Sequence, residues 1–209
     1  MAEYEIERIY RDSRINRIFE GTNEVNRLVV PGTLVRKAMK GDLPLFQMGL
    51  KLNEELMMMM PEELSDEPLA LSKHLVSNAK KMALLLTGLA AQKFGKKLTG
   101  EQEILSNLAD MTAHVYAMES ALLRTEKAIA KTGLEKNEQK VLYTQIICQD
   151  AFVQMEVIAK ETLTAIESGD MLRMMLTTFR KLTRYNPENI FVLKRKAADN
   201  LIAAQKYIV

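Results

Sequence analysis

TGEQEILSNLADMTAHVYAMESALLRTEKAIAKTG, residues Thr99–Gly133, is the stretch that decides the fold. Ile104, Leu108, Met111, Val115, Met118, Leu122, Thr125 and Ile129 follow one another at alternating steps of three and four residues. That spacing puts them on one face of a helix and predicts a single buried stripe. Thr99, with Gln102 three residues on, reads as a capping box at its start, and Gly133 as its stop.

The same spacing recurs on either side. Leu75, Ala79, Met82, Leu86 and Leu89 form one line, and Val141, Cys148, Phe152, Met155, Ala159 and Ile166 another, with Gln145 interrupting. Ile190, Leu193, Ala197, Leu201, Ala204 and Ile208 form a third. Short turns between long helices favour antiparallel neighbours, so the expected fold is all-α, an up-and-down bundle of long antiparallel helices. Composition agrees: with 9 Gly, 5 Pro, 14 Met and no Trp among 209 residues, little opposes helix anywhere.

Punctuation sets the expected boundaries. A first helix is expected from Ala2 to about Ile18, and a second, capped by Asn23, to about Met39 with a kink or break at Pro31-Gly32. Gly41-Asp42-Leu43-Pro44 reads as a turn and a domain boundary. Leu45–Met60 reads as a shorter amphipathic helix stopped by Pro61. Ser65 or Asp66 is expected to cap a long helix reaching about Lys97, with Pro68 in its first turn. Leu134–Ser168 is the third long helix, and Asp170 caps a shorter one reaching about Tyr185. Asn186-Pro187 is read as the N-cap and first position of the last helix.

Charge and cysteine narrow the function classes. Twenty-nine basic and 27 acidic residues give a net charge of +2, and no basic stripe with interleaved aromatics points to nucleic acid. The single cysteine, Cys148, rules out an internal disulfide and suits a reducing compartment. Met1 is followed by Glu3, Glu5 and Glu7, unlike a secretory signal, and no apolar run is long enough to span a bilayer. A cytoplasmic protein is expected for a bacterial source, a mitochondrial one for a eukaryote. His74 and His114 stand alone on their helices and no Glu-x-x-His pair exists, so no metal site is expected. Cys148 lies on an apolar line with no His near it in sequence, which reads as a buried, inert thiol. Lys194-Arg195-Lys196 reads as a solvated helix face.

The chemistry lies near the start of the chain, in YRDSRINRIFEGTNEVNR, Tyr10–Arg27. A helix-forming stretch stops at Glu20-Gly21-Thr22 and a second starts after it. A single acid therefore stands at a helix-to-helix corner, where Gly21 lets a backbone or ligand come close. By itself a Glu before a Gly at a helix end is commonplace. The whole run, however, resembles the catalytic-base segment of the acyl-CoA dehydrogenases, flavoenzymes that oxidise fatty acyl thioesters.

That resemblance carries expectations residue by residue. It makes Glu20 the catalytic base that removes the α proton of an acyl-CoA while hydride leaves the β carbon for FAD. Gly21 would lie along the substrate's acyl end, and Thr22, Asn23 and Glu24 would touch the flavin. Arg11-Asp12 and Arg27 would form ion pairs around the corner. Glutamate before Gly-Thr is similar to the short-, medium- and very-long-chain type. Helices continuing past Pro44 resemble the very-long-chain members, whose extra carboxy-terminal domain supports dimers and, in mitochondria, membrane attachment. Residues 1–44 would then end the catalytic helical domain and residues 45–209 form the additional bundle. The chain reads as a carboxy-terminal piece, inactive alone for want of upstream helices and a β domain. The resemblance also implies a homo-oligomer and an electron-transfer flavoprotein as redox partner.

Two alternatives stay open. The chain could act as a non-catalytic helical module for self-association, docking or peripheral membrane attachment. LFQMGLKLNEELMMMM, residues Leu45–Met60, could lie on a membrane, although Lys51 is its only basic residue and Glu54 and Glu55 oppose anionic lipid. The competing reading, which the charges favour, is a helix whose Met side chains fill a groove. Ile15, Ile18, Val25 and Leu28 discriminate. Buried against later helices they would indicate a stand-alone module; exposed, they would indicate a piece of a larger enzyme.

Overall fold

The computed structural model describes residues 4–59 and 64–208. Among the described residues are eight α-helices: α1 (Glu5–Ile15), α2 (Asn23–Lys40), α3 (Leu45–Met58), α4 (Ala70–Phe94), α5 (Gln102–Thr132), α6 (Glu138–Ile166), α7 (Gly169–Leu182) and α8 (Ile190–Ala204). No strand occurs among the described residues, and none of their helices is long and apolar enough to cross a membrane.

The core is the mutual packing of α4, α5 and α6. The α5 stripe behaves as its spacing predicts. Ile104, Leu108, Met111, Met118, Leu122 and Thr125 are buried, while Val115 and Ile129 pack against the core from its margin. From α4 come Leu75, Ala79, Met82 and Leu86, and from α6 Cys148, Phe152, Met155 and Ala159. Phe152 meets Tyr185 edge-on, with ring centroids 5.4 Å apart at 87°. This is the favoured geometry for two ring quadrupoles. Met82, Met111, Met118 and Met155 fill the seams between these helices, as an unbranched, polarizable side chain can.

Polar pins fix how the helices sit. Thr125 and Thr144 share a hydrogen bond of 2.8 Å between α5 and α6. Asn78 Nδ2 donates to the Leu182 carbonyl at 2.9 Å, tying α4 to the end of α7. Gln139 Nε2 donates to the Ala197 carbonyl at 3.0 Å, tying α6 to α8. No buried side-chain nitrogen or oxygen among the described residues lacks a partner. Each pin penalises a shifted register, because slippage would strand a buried donor.

α2 and α3 pack on the outside of these three helices. The Pro31-Gly32 dipeptide does not break α2, which runs unbroken to Lys40 with Pro31 buried inside it. It lies against α5, where Arg27 Nε donates to Asp110 Oδ1 at 2.6 Å and its terminal nitrogen pairs with the second carboxylate oxygen. α3 rests on α4 through the buried Leu52 and Leu56, with Lys81–Glu55 as an ion pair. The helix packs through these leucines and not through its described methionines: Met48 and Met58 are exposed, and the Met57 side chain and Met60 lie outside what the structure describes.

Boundaries moved where local signals had competitors. Thr99 does not cap α5: its hydroxyl bonds to the Lys96 carbonyl inside a 3₁₀ segment, Gly95–Gly100, that ends α4 three residues before Lys97. Pro68 precedes α4 rather than lying within its first turn. The third long helix begins after a short 3₁₀ turn, Glu135–Asn137, where Asn137 donates to the Gly133 carbonyl at 2.8 Å. Asp170 lies in the first turn of α7 and pairs with Arg173 instead of capping. That helix ends at Leu182 rather than near Tyr185. The last helix starts at Ile190, with Asn189 accepting from the Phe191 and Val192 amides; Asn186-Pro187 stays in the preceding loop. Glu188 explains the delay: its amide and carboxylate exchange hydrogen bonds with Gln149, holding that loop extended on α6. The expected start of the first helix at Ala2, and the expected end of the Leu45 helix at Met60 with its Pro61 stop, lie outside the described residues, as do the side chains of Phe46, Leu50 and Met57.

Phe152→Ala is expected to cost about 3–5 kcal/mol, because it removes a fully buried ring and its partner contact. Ile202→Ala, on an exposed face, should stay within about 0.5 kcal/mol. Urea unfolding of both variants measures the difference.

Candidate functional site

The α1–α2 corner is built by the backbone. After Ile15 the chain tightens: the amides of Ile18 and Phe19 both reach the Ile15 carbonyl, at 2.9 and 3.1 Å. The helix therefore ends three residues before the expected Ile18. Glu20 then adopts φ +56° and Gly21 φ +91°. Glycine takes the left-handed region freely, but a glutamate there is uncommon and is held only by its surroundings. Two consecutive left-handed residues reverse the chain and leave the Glu20 side chain exposed.

Three contacts hold the reversal. Asn26 Nδ2 donates to the Gly21 carbonyl at 3.0 Å, and the Asn23 amide to the Arg17 carbonyl at 3.2 Å. Thr22, not Asn23, is the N-cap of α2, its hydroxyl accepting from the Val25 amide at 3.2 Å. Asn23 is the first helical residue. A Cβ on Gly21 would stand a tight 3.2 Å from Asn26 Oδ1, so a side chain there would press on Asn26 as well as strain the torsion angle. Asn26 escaped the sequence reading. The available signal was an amide five residues beyond a glycine.

Electrostatics at the corner follow from the helix end. Glu24 is held below the ordinary glutamate value, first by its own backbone amide and then by the Thr22 hydroxyl, with Arg17 and Arg27 adding attraction. A carboxylate in the first turn also meets the positive end of the helix dipole. Arg27 faces away from the corner to Asp110, and that carboxylate raises the guanidinium above its usual value. Arg11 pairs with Glu7 at 3.1 Å. The ion pairs read as encircling the corner thus tie α2 to α5 and brace α1.

Around this corner lies uncovered apolar surface. Ile15, Ile18 and Val25 are 48%, 59% and 50% exposed, and α1 buries no residue; of the discriminating set only Leu28 packs against the core. The structure brings Glu20, Gly21, Thr22, Asn23 and Glu24 onto one turn, half-buried at Thr22 and exposed at the other four.

The family model described as the C-terminal domain of acyl-CoA dehydrogenase matches residues 78–181, and a second model of the same description matches residues 1–34. Over its whole length the chain is 60% identical to a probable acyl-CoA dehydrogenase of Bacillus subtilis and covers 35% of it. The chain belongs to the acyl-CoA dehydrogenase family. A crystal structure of an acyl-CoA dehydrogenase with FAD from Bacillus anthracis superposes with a TM-score of 0.94 at 67% identity, covering all of this chain and 36% of that one. The very long-chain specific mitochondrial enzyme of Rattus norvegicus is 25% identical over 90% of this chain and 31% of its own. The chain therefore spans about a third of the length of these acyl-CoA dehydrogenases.

Within this family member the other reactive side chains are absorbed by the fold. Cys148 is fully buried, and burial pushes its thiol up to about 11. His74 lies within 3.0 Å of the Asn78 amide. No group of three or more His, Cys, Asp or Glu capable of holding a metal occurs among the described residues.

Two predictions follow from these surroundings. Cys148 should resist an aromatic disulfide reagent at pH 8 in the native state and react at once in denaturant. Because the folded value of Glu24 lies below its unfolded one, its contribution is present above about pH 4.5 and lost as pH falls through the folded value. Hydrogen exchange of the first turn of α2 should be faster in Glu24→Gln at pH 7, and the two proteins should converge in acid.

Proposed function

We propose that this chain is the carboxy-terminal part of an FAD-dependent acyl-CoA dehydrogenase, in which Glu20 removes the α proton of the acyl thioester. The exposed left-handed Glu20-Gly21 turn, bordered by uncovered Ile15, Ile18 and Val25, carries the reading. Strain at a charged residue with no partner among the described residues is the usual mark of a functional turn. Membership of the family supplies the chemistry.

Glu20 accepts the α proton on its carboxylate. In water such a base is too weak for a thioester α carbon; enclosure by apolar surface strengthens it and excludes competing solvent. The Ile15, Ile18 and Val25 side chains are placed to join that enclosure. Gly21, lacking a side chain, leaves room for the acyl chain beside the base. The residues also fit a flavin: α2 opens here with its amino end outward, and the Asn23 side chain, exposed and unbonded among the described residues, can contact polar ring atoms. Thr22 and Glu24 complete that edge. FAD, when bound, would accept the hydride from the β carbon.

Residues 1–44 would close the catalytic helical domain and residues 45–209 form the added bundle, joined by the Arg27–Asp110 pair. The remaining surface of the site would come from polypeptide outside this chain, so the chain alone is inactive. The same uncovered face favours self-association of the isolated chain, seen as concentration-dependent light scattering. The intact enzyme would form homo-oligomers and pass electrons to an electron-transfer flavoprotein.

The test is Glu20→Gln in the longer enzyme of which this sequence forms the carboxy-terminal third. Flavin content and acyl-CoA binding should persist, while substrate bleaching of the flavin band slows by about a thousandfold or more. Unchanged bleaching would remove Glu20 from the role of base.

A further inference from the structure

α3 touches α4 through Leu52 and Leu56 but leaves space beside them. Beneath it run two adjoining hollows of about 480 and 440 Å³ that share Leu45, Leu84 and Thr87 as a common wall. α2 and α5 bound the first of them through Leu34, Thr112 and Val115. Each is in the size range of ligand sites, and together they make an elongated apolar groove.

Three observations bear on its occupant. Gly49 on α3 and Gly88 on α4 both line the second hollow, and a Cβ on either would meet nothing within 4 Å. Glycine is among the poorest residues inside a helix, and at these two positions it withholds the side chains that would narrow the groove. The hydroxyls on the wall have no proton to spare: Thr87 donates to the Ala83 carbonyl at 2.7 Å and Thr112 to the Leu108 carbonyl at 2.8 Å, which leaves Gln92, at the exposed edge of the second hollow, as its free side-chain donor among the described residues. A guest with polar groups along its length would find few partners on these largely apolar walls, whereas a hydrocarbon needs none. One cation at the first hollow is left over. Lys80 and Lys81 are neutralised by Glu119 and Glu55, but Lys51 makes no ion pair with any described residue.

We infer that this groove binds the hydrocarbon chain of a free long-chain fatty acid, with its carboxylate at Lys51. The site is separate from the Glu20 corner: Leu34 lies eleven residues beyond Asn23, roughly 16 Å along α2. The inference does not rest on the role proposed for Glu20. It makes the bundle a second acyl-binding element that registers free fatty acid, apart from any thioester held at the corner.

The test is titration of the 209-residue chain with cis-parinaric acid, a long-chain fatty acid whose emission rises in apolar surroundings. Saturable one-to-one binding is expected. Gly88→Leu fills the groove with a better helix former and should weaken binding by roughly tenfold or more without lowering the melting temperature. Lys51→Glu, a surface change, should weaken the acid but leave its methyl ester unaffected. No saturable binding, or equal binding by the parent and Gly88→Leu, would overturn the inference, the latter placing the probe on the uncovered α1–α2 face. Equal loss of acid and ester in Lys51→Glu would overturn the carboxylate contact.

Discussion

Burial of one face of α5 between α4 and α6 is the interaction on which the other placements depend. Leu108, Met111, Met118 and Leu122 leave water there together. Their removal from solvent supplies the driving force that orders the bundle. The opposite flank of the same helix receives α2, oriented by the two-pronged Arg27–Asp110 pair. Partly exposed ion pairs contribute little to stability, but a guanidinium gripping both oxygens of one carboxylate fixes an angle. The bundle thus acts as a mount, and the Glu20 corner stands at the end of what it holds.

That dependence explains why a strained turn persists. Glu20 in the left-handed region costs energy that the corner does not recover through burial, since its own side chain is exposed. Thr22, Asn26 and the Arg17 carbonyl hold the backbone reversed. α1, which buries nothing, contributes a row of uncovered Ile and Tyr side chains. Surface of this kind normally belongs to an interface. In the proposed enzyme it faces the polypeptide that would complete the site, and the geometry of the base is set before that surface is covered.

Much of this was legible in residue spacing. The α5 stripe could be read residue by residue because steps of three and four have one structural meaning, and the Glu-Gly-Thr corner was legible as an interruption between two helices. Capping was less so. Thr99 had a choice between the α5 amides and the Lys96 carbonyl, and Asn186-Pro187 had to compete with the Gln149–Glu188 exchange across 39 residues of sequence. Pro31 gave a false break, since a helix anchored on α5 tolerates the proline within it. The Asp110 partner of Arg27 and the groove beneath α3 have no local signal. Both arise only when distant helices meet.

The central claim is that the Glu20 corner is one wall of a flavin site whose other walls lie outside this chain. The most direct measurement is the visible absorbance of the purified chain, before and after adding FAD and then a long-chain acyl-CoA. The account predicts no retained flavin band and no bleaching. A bound flavin that bleaches with substrate would contradict it, because this chain would then assemble a working site by itself.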